Sequence, residues 1–235
     1  MVSLLLDGEE IEDNLPVYAA QQVLPAGDLT RPAYGMCAES ARLFANSVLA
    51  ATGRVQPEHL DVDCNIDGTR LVGRLHGLYP SGLIRYRNAK LKAKDRIRGW
   101  IHNLLLCAAG HPERTEIGTL LIGKDASCHF PFVEDSHQQL SRLIAILRRG
   151  LGRPLPFFPE TSFIFAERQA KEETQQDSLA RACQKWLGGL FNSAECDDAD
   201  FDFCFRHSDP LDDEFCQLAL DILSPLIASL NRWGK

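Results

Sequence analysis

The sequence predicts an α/β fold in which a mixed β-sheet is flanked by helices. Two observations carry that expectation. Residues 60–87 alternate apolar and polar side chains between strong turn signals, as half-buried strands do. On both sides of this block, apolar residues recur at helical spacing. The resulting order is helix, strand, strand, strand, helix, strand, which interleaves the two element types as layered α/β architectures do. The chain has 235 residues, 45% of them hydrophobic, enough to bury one sizeable core.

Residues 1–35 are acidic and punctuated by Pro16, Pro25, Gly27, Pro32 and Gly35. They read as an extended lead-in, with room for one short strand, ahead of a single domain over 36–235. Met36 to Ala51 is the first helix, with Leu43, Phe44, Val48 and Leu49 on one side and Gly53 just past its end. Leu60 to Ile66 alternates as a strand, Asp67-Gly68 is a two-residue hairpin turn, and Thr69 to Tyr79 returns. Pro80-Ser81-Gly82 turns the chain into a third strand, Leu83 to Arg87. A helix follows from about Asp95 to Ala109, with Ile97, Ile101, Leu104, Leu105 and Ala108 as its stripe.

Ile117 to Gly123 and Ser127 to Phe132 read as two more strands. Ser136 opens the next helix, with Gln139 at capping-box spacing. Leu140, Leu143, Ile144 and Leu147 face inward on it, and Gly150 ends it. Three prolines between Gly152 and Pro159 forbid helix there. Glu167 to Leu187 reads as one helix and the acidic segment 192–211 as a loop. Asp212 to Trp233 is the last helix, with Phe215, Leu218, Ile222, Leu226, Leu230 and Trp233 at helical spacing and Pro225 kinking it.

Several function classes are excluded at this level. No apolar run approaches the ~18 residues that a membrane span needs. The start lacks the basic segment and apolar stretch of a signal peptide, so the cytoplasm is the expected compartment. The eight cysteines form no Cys-x-x-Cys pair and read as free thiols. Cys204 with His207, and Cys128 with His129, lack the second close pair that structural zinc takes. There is no Gly-x-x-x-x-Gly-Lys-Ser/Thr loop for a nucleotide and no Ser/His/Asp arrangement with recognisable local context. No cofactor is expected.

Charge is unevenly distributed. The net charge of −7 argues against a free-standing, strongly DNA-binding domain. Yet Arg85, Arg87, Lys90, Lys92, Lys94, Arg96 and Arg98 put seven bases in fourteen residues, against one acid, Asp95. Between Glu195 and Glu214 stand nine acids and one base, Arg206. Two patches of opposite sign point to two faces or two tasks.

Three segments carry a family resemblance: Leu71-Val-Gly-Arg-Leu-His-Gly77, Gly82-Leu-Ile-Arg-Tyr-Arg87, and Leu91-Lys-Ala-Lys-Asp-Arg-Ile-Arg-Gly-Trp-Ile-His102. With Leu120-Leu-Ile-Gly123 and Gly150-Leu-Gly-Arg-Pro-Leu-Pro156, they resemble the C-terminal domain of the gamma subunit of exodeoxyribonuclease V, the RecC family. The resemblance runs from about Leu15 to the end and is most specific between Leu71 and Pro159. RecC subunits are much longer, so it implies a C-terminal fragment. It implies a degenerate restriction-endonuclease-like, PD-(D/E)XK nuclease fold with an αβββαβ core and extra C-terminal helices. It also implies a non-catalytic scaffold and strand-handling role in a RecBCD-type ATP-dependent helicase–nuclease that acts on double-strand breaks. The implied partners are RecB-like and RecD-like subunits and DNA, as single strands or forked ends, with no membrane.

Active nucleases of that fold place a carboxylate at the end of the second strand and Asp/Glu-x-Lys on the third, to hold Mg²⁺ and position water. Here Gly77-Leu78-Tyr79 runs into Pro80, and the third-strand motif reads Arg85-Tyr86-Arg87. The glutamine often found on the following helix is replaced by Trp100. No carboxylate occurs between Gly68 and Lys94, so shifting the alignment restores no ligand. An arginine offers a metal no lone pair and stays positive. Asp61, Asp63 and Glu39 are the remaining candidates for a relict metal site, set against ordinary solvent-facing positions. Trp100 and His102, near a buried stripe, read as packing residues.

The expectation is therefore no catalytic and no metal residues, with Arg85, Arg87, Lys90, Lys92 and Lys94 binding nucleic acid. Arg85 and Arg87 share one strand face and act together. The basic run could instead dock an acidic partner surface or stand as a solvated face. The alternative functions are an active metal-dependent nuclease with displaced ligands, and a docking module without DNA contact.

Overall fold

The computed structural model describes residues 1–11, 14–110, 117–189 and 193–232, the last two by backbone alone. The first helices are α1 (Val2–Leu6), α2 (Leu15–Ala20) and α3 (Thr30–Thr52). Three strands follow: β1 (Glu58–Ile66), β2 (Thr69–Tyr79) and β3 (Gly82–Arg87). Next come α4 (Ala93–Ala109), β4 (Thr119–Gly123), β5 (Ser127–Phe130), α5 (Ser136–Gly152), α6 (Pro159–Gln169) and α7 (Gln175–Leu187). The chain closes with α8 (Ala199–Phe205), α9 (Asp213–Ser229) and β6 (Asn231–Arg232).

The sheet is mixed, as the alternation predicts. Its strands lie in sequence order, with Asn231–Arg232 adding a two-residue sixth strand beside β5. Every neighbouring pair is antiparallel except β3 and β4, which run parallel and are joined through α4. The β1–β2 turn has positive φ at both central residues, 47° at Asp67 and 77° at Gly68. That conformation matches the twist of the flanking strands, and it sets Ile66 opposite Thr69. Asn65 steadies it by accepting from the Gly68 amide at 2.9 Å.

Helices cover both sheet faces. On one side, Phe44 and Val48 of α3 bury Tyr79, Ile84 and Ile122. On the other, Trp100 and Leu104 of α4 pack with Leu121 and Phe130, and Leu106 packs with Leu78 and Leu83. The approach is close at Gly99, where a β-carbon would lie 3.0 Å from the Phe130 ring. A second apolar cluster, formed by α6, α7 and α9, is built on Phe158. The Phe158 ring lies 4.1 Å from the Trp186 ring, centroid to centroid, and among Phe165 and Phe215.

Several segments differ from expectation. Residues 1–35 are not an extended lead-in. Leu4, Leu5, Leu15 and Tyr18 pack helices around buried Ile11 and against Tyr34 and Ala38, and the Tyr34 hydroxyl donates to the Ile11 carbonyl. α3 starts at Thr30, because Pro32 falls in its first turn, where an amide has no intrahelical partner. The helix expected over Glu167–Leu187 is two helices. Pro159 sits at the first position of α6, where its fixed φ favours helix. Glu172 then turns left-handed (φ 61°), and Thr174 caps α7 by accepting from the Asp177 amide.

The expected loop at 192–211 contains α8, started by Asp198, which accepts from the Asp200 amide. The capping box on Ser136 does not form. Ser136 is the first residue of α5, and Gln139 bonds the side chain of Asp135 before it. Leu147 faces outward, 61% exposed. The last helix stops at Ser229, and Trp233 lies outside the described residues.

Candidate nucleic-acid interface

The site is made by a break in the sheet. The β1–β2 register runs from Glu58↔Leu78 to His59↔His76 and skips Gly77, so Gly77 is a bulge. Its φ is +81°, and a β-carbon there would lie 2.9 Å from the Ile84 carbonyl. Past the bulge, β2 and β3 part company. They pair only at Leu78↔Leu83 and Tyr79↔Gly82. Two more residues along each strand, the register would set His76 opposite Arg85. There the Arg85 guanidinium, through Nη1, donates to the His76 carbonyl at 3.1 Å.

The parting opens a cleft of about 460 Å³ between the end of β2, the exposed stretch of β3 and the first half of α4. Arg85 and Arg87 enter it from β3, and Asp95, Arg98 and His102 from α4, with His76, Gly77 and Tyr86 also on its walls. The spacing 95, 98, 102 is one helix face.

These cations have unequal freedom. Arg87 is bonded through Nη1 to Asp95, whose carboxylate also accepts from the Lys92 amide and so fixes the start of α4. Arg85 is half-buried and has no carboxylate partner among the described residues. Burial and the neighbouring Arg98 lower its affinity for its proton, with Tyr86 opposing, though a guanidinium remains charged at any ordinary pH. No ion pair or hydrogen bond engages Arg98 among the described residues. His102 is held down to a pKa of about 4, mainly by burial and then by Arg85 and Arg98. It is therefore neutral near pH 7, and its Nδ1 is buried without a hydrogen-bond partner among the described residues.

The structure thus separates the run expected to bind nucleic acid. Arg85 and Arg87 share the cleft. Lys90 is exposed on the β3–α4 connection. Lys92 and Lys94 line a different hollow with Glu160, Lys185 and Glu195. Arg96 stacks over the Phe163 ring, 5.1 Å from its centroid. Arg98, a member of the basic run not assigned to the site, and His102, read as packing, line the cleft, and their spacing from Asp95 was the available signal.

The donors of the cleft do not suit Mg²⁺, a hard ion that takes oxygen ligands. The one carboxylate there, Asp95, is taken by Arg87 and by an amide. The loose candidates lie elsewhere. Asp61 is bidentate to Arg74 and Asp63 to Arg70 across the β1–β2 ladder, and each arginine holds its carboxyl below the usual range. Glu39 lies on α3 beside a separate groove. Among the described residues no group of three or more His, Cys, Asp or Glu is placed to hold a metal. Cys204 is exposed on α8 and Cys128 is buried in β5. Trp100 is a core residue.

Several acids of 195–214 have identifiable partners. Glu195 accepts from the Glu160 and Thr161 amides and the Thr161 hydroxyl, at 3.0, 2.7 and 2.7 Å, and so caps α6. Asp198 caps α8 and Asp212 caps α9. Glu214 ties Arg149 of α5 and Arg153, just past its end, to the start of α9.

With this geometry in view, the comparisons with known proteins converge. A family model described as the RecC C-terminal domain matches residues 1–170, from α1 to just past α6. The chain is 28% identical over 202 residues to the RecBCD enzyme subunit RecC of Escherichia coli, an alignment covering 79% of this chain and 18% of that protein. It is 31% identical over 172 residues to the RecBCD enzyme subunit RecC of Mycolicibacterium smegmatis, covering 67% and 16%. The chain spans less than a fifth of the length of these relatives.

Proposed function

The chain belongs to the RecC family, in the part described as its C-terminal domain, and from that premise we propose that it handles DNA strands and scaffolds a RecBCD-type helicase–nuclease without cutting DNA itself. Its partners on this reading are RecB-like and RecD-like subunits and single-stranded or forked DNA, and its setting is recombination and double-strand-break repair in the cytoplasm. Residues 36–235 act as one domain, with the N-terminal helices packed onto α3 as part of it.

One observation carries the reading. Where a nuclease of this fold needs metal-binding carboxylates, the cleft offers Arg85, Arg87 and Arg98 and a single acid already neutralised by Arg87. Such a surface repels a divalent cation and attracts phosphate. Lys90, Lys92 and Lys94 extend the positive surface along the β3–α4 connection. No helix among the described residues is long and apolar enough to cross a membrane.

The test is incubation of the purified chain with end-labelled duplex and single-stranded DNA in Mg²⁺ and then Mn²⁺, with binding followed in parallel. The expected result is intact DNA at high protein excess, with salt-sensitive retention of single strands or forks that Arg98→Glu weakens. Cleavage that co-purifies with the chain would overturn the non-cutting part. Absence of any DNA retention would favour a docking module.

A further inference from the structure

We propose that the cleft is a built phosphate site, taking one phosphate group of a nucleotide between the Arg85 and Arg98 guanidiniums, with His102 as a third donor. The proposal deepens the DNA-handling reading and rests on it only for the source of the phosphate.

Three independent features point to an anion. First, Arg98 is close enough to disfavour the Arg85 charge, yet among the described residues neither meets a carboxylate and the one acid of the cleft is bonded to Arg87. Two like charges at a partly desolvated site are costly unless an anion joins them. Arg70, Arg74, Arg149, Arg153, Arg168 and Arg206 each meet a carboxylate, whereas Arg85 and Arg98 meet none among the described residues.

Second, His102 lines the same cavity and its Nδ1 is buried with no hydrogen-bond partner among the described residues. Buried polar atoms are nearly always hydrogen-bonded, so an orphan on a cavity wall implies a ligand atom. A neutral imidazole carries one N–H and can present it from Nδ1. The groups facing His102 are Arg98 and Asp95 on its own helix, Arg85 and Arg87 on β3, and His76 on β2. The acid among them is committed to Arg87. Burial is the main reason His102 is neutral, and an anion near Arg85 and Arg98 would offset the two charges that add to it.

Third, the opening is built into the backbone. The Gly77 bulge ends the β2–β3 ladder, and the Arg85 side chain spans the gap to the His76 carbonyl. That contact holds the guanidinium by one edge and leaves other N–H groups for a ligand. At about 460 Å³, the space suits a phosphate with its sugar rather than a long strand segment.

Two sources share this chemistry: the terminal monoester of a strand end and the internal diester of a strand. The 235-residue chain, labelled with ¹⁵N-histidine, is titrated with inorganic phosphate, thymidine 5′-monophosphate and a thymidine dinucleotide lacking terminal phosphate. The expected result is movement of the His102 ring nitrogens on saturation. Arg98→Gln, an exposed change that leaves the fold alone, should weaken binding at least about tenfold, as loss of one hydrogen bond to a charged group does. His102→Leu should weaken it too, and His102→Asn, which keeps a short N–H donor, should restore part of the loss.

Response to the monoesters alone assigns a strand end, and response to the dinucleotide as well assigns the backbone; either supports the site. A His102 signal unmoved by all three ligands, with wild-type and Arg98→Gln chains alike, overturns it. Long single strands separate the two claims. If they bind while the small phosphates do not, the site fails and strand handling stands on other charges. If the small phosphates bind and strands do not, the site stands and strand handling fails.

Discussion

At the residue scale, the cleft depends on groups held away from their ordinary states. His102 has a folded pKa of about 4 against an ordinary 6.5. Above about pH 6.5 it is neutral in both folded and unfolded chains and has no effect on the pH dependence of folding. As the pH falls from 6.5 toward 4, the unfolded chain takes up a proton that the folded chain refuses. Stability must therefore fall across that window. Unfolding by urea at a series of pH values should show the decline, and His102→Gln should remove part of it between pH 6.5 and 4 while leaving the higher range unchanged. Gly77 makes a second prediction. A methyl group there must bear φ +81° and sit 2.9 Å from a carbonyl oxygen. Gly77→Ala should lower stability by about 1–3 kcal/mol, the cost of a strained backbone position, whereas Gly73→Ala on the same strand, with open space around it, should cost less. A thermal melt of the two variants decides between them. Arg85 and Arg87 were legible from strand alternation alone. Arg98 and His102 were not, because a basic run read one residue at a time hides which members share a face once strand gives way to helix at Lys92. Nor does sequence show that Asp95 cancels Arg87, since that pairing needs the turn between β3 and α4.

At the element scale, legibility followed the strength of local chemistry. The β1–β2 hairpin was readable because Asp67-Gly68 supplies both left-handed positions and the alternation fixes which side is buried. β2 was placed at its true bounds, Thr69–Tyr79. The N-terminal helices were not readable. They are short and interrupted by proline and glycine, and they are held by tertiary packing around Ile11 rather than by their own propensity. The acidic segment misled for a different reason. Composition alone marks it as a solvated loop, yet its acids sit where helices begin and accept from free amides. Glu195 is the informative member, since it caps a helix distant in sequence. Glu195→Ala should destabilise the chain by about 1–2 kcal/mol through the lost α6 cap, while Asp197→Ala should change it little. Chemical denaturation compares the two directly. Equal small effects would return the whole tract to solvated charge.

At the scale of the whole molecule, the proposed function has a chain of net charge −7 hold a polyanion. The geometry reconciles these by keeping the signs apart. Glu195, Asp198, Asp202, Asp212 and Glu214 serve as caps or ion pairs among α5 to α9, while Arg85 and Arg98 face the cleft from β3 and α4. Long-range repulsion and short-range attraction then act together, and their balance is set by salt. Counterion release makes the affinity for single strands fall with a slope of about −0.7 per phosphate neutralised on a log–log plot. With Arg85 and Arg98 sharing one phosphate, the cleft should contribute a slope of about −0.7, and Arg98→Gln should reduce its magnitude. If Lys90, Lys92 and Lys94 each meet a further phosphate, the wild-type slope should approach about −2.8, and replacing all three by Gln should return it to the cleft value. Lys92 and Lys94 share a hollow with Glu160 and Glu195, so the smaller slope is the expected one. Fluorescence anisotropy of a labelled oligothymidine between low and moderate salt measures it, and a slope unchanged by Arg98→Gln would place the contacting phosphates outside the cleft.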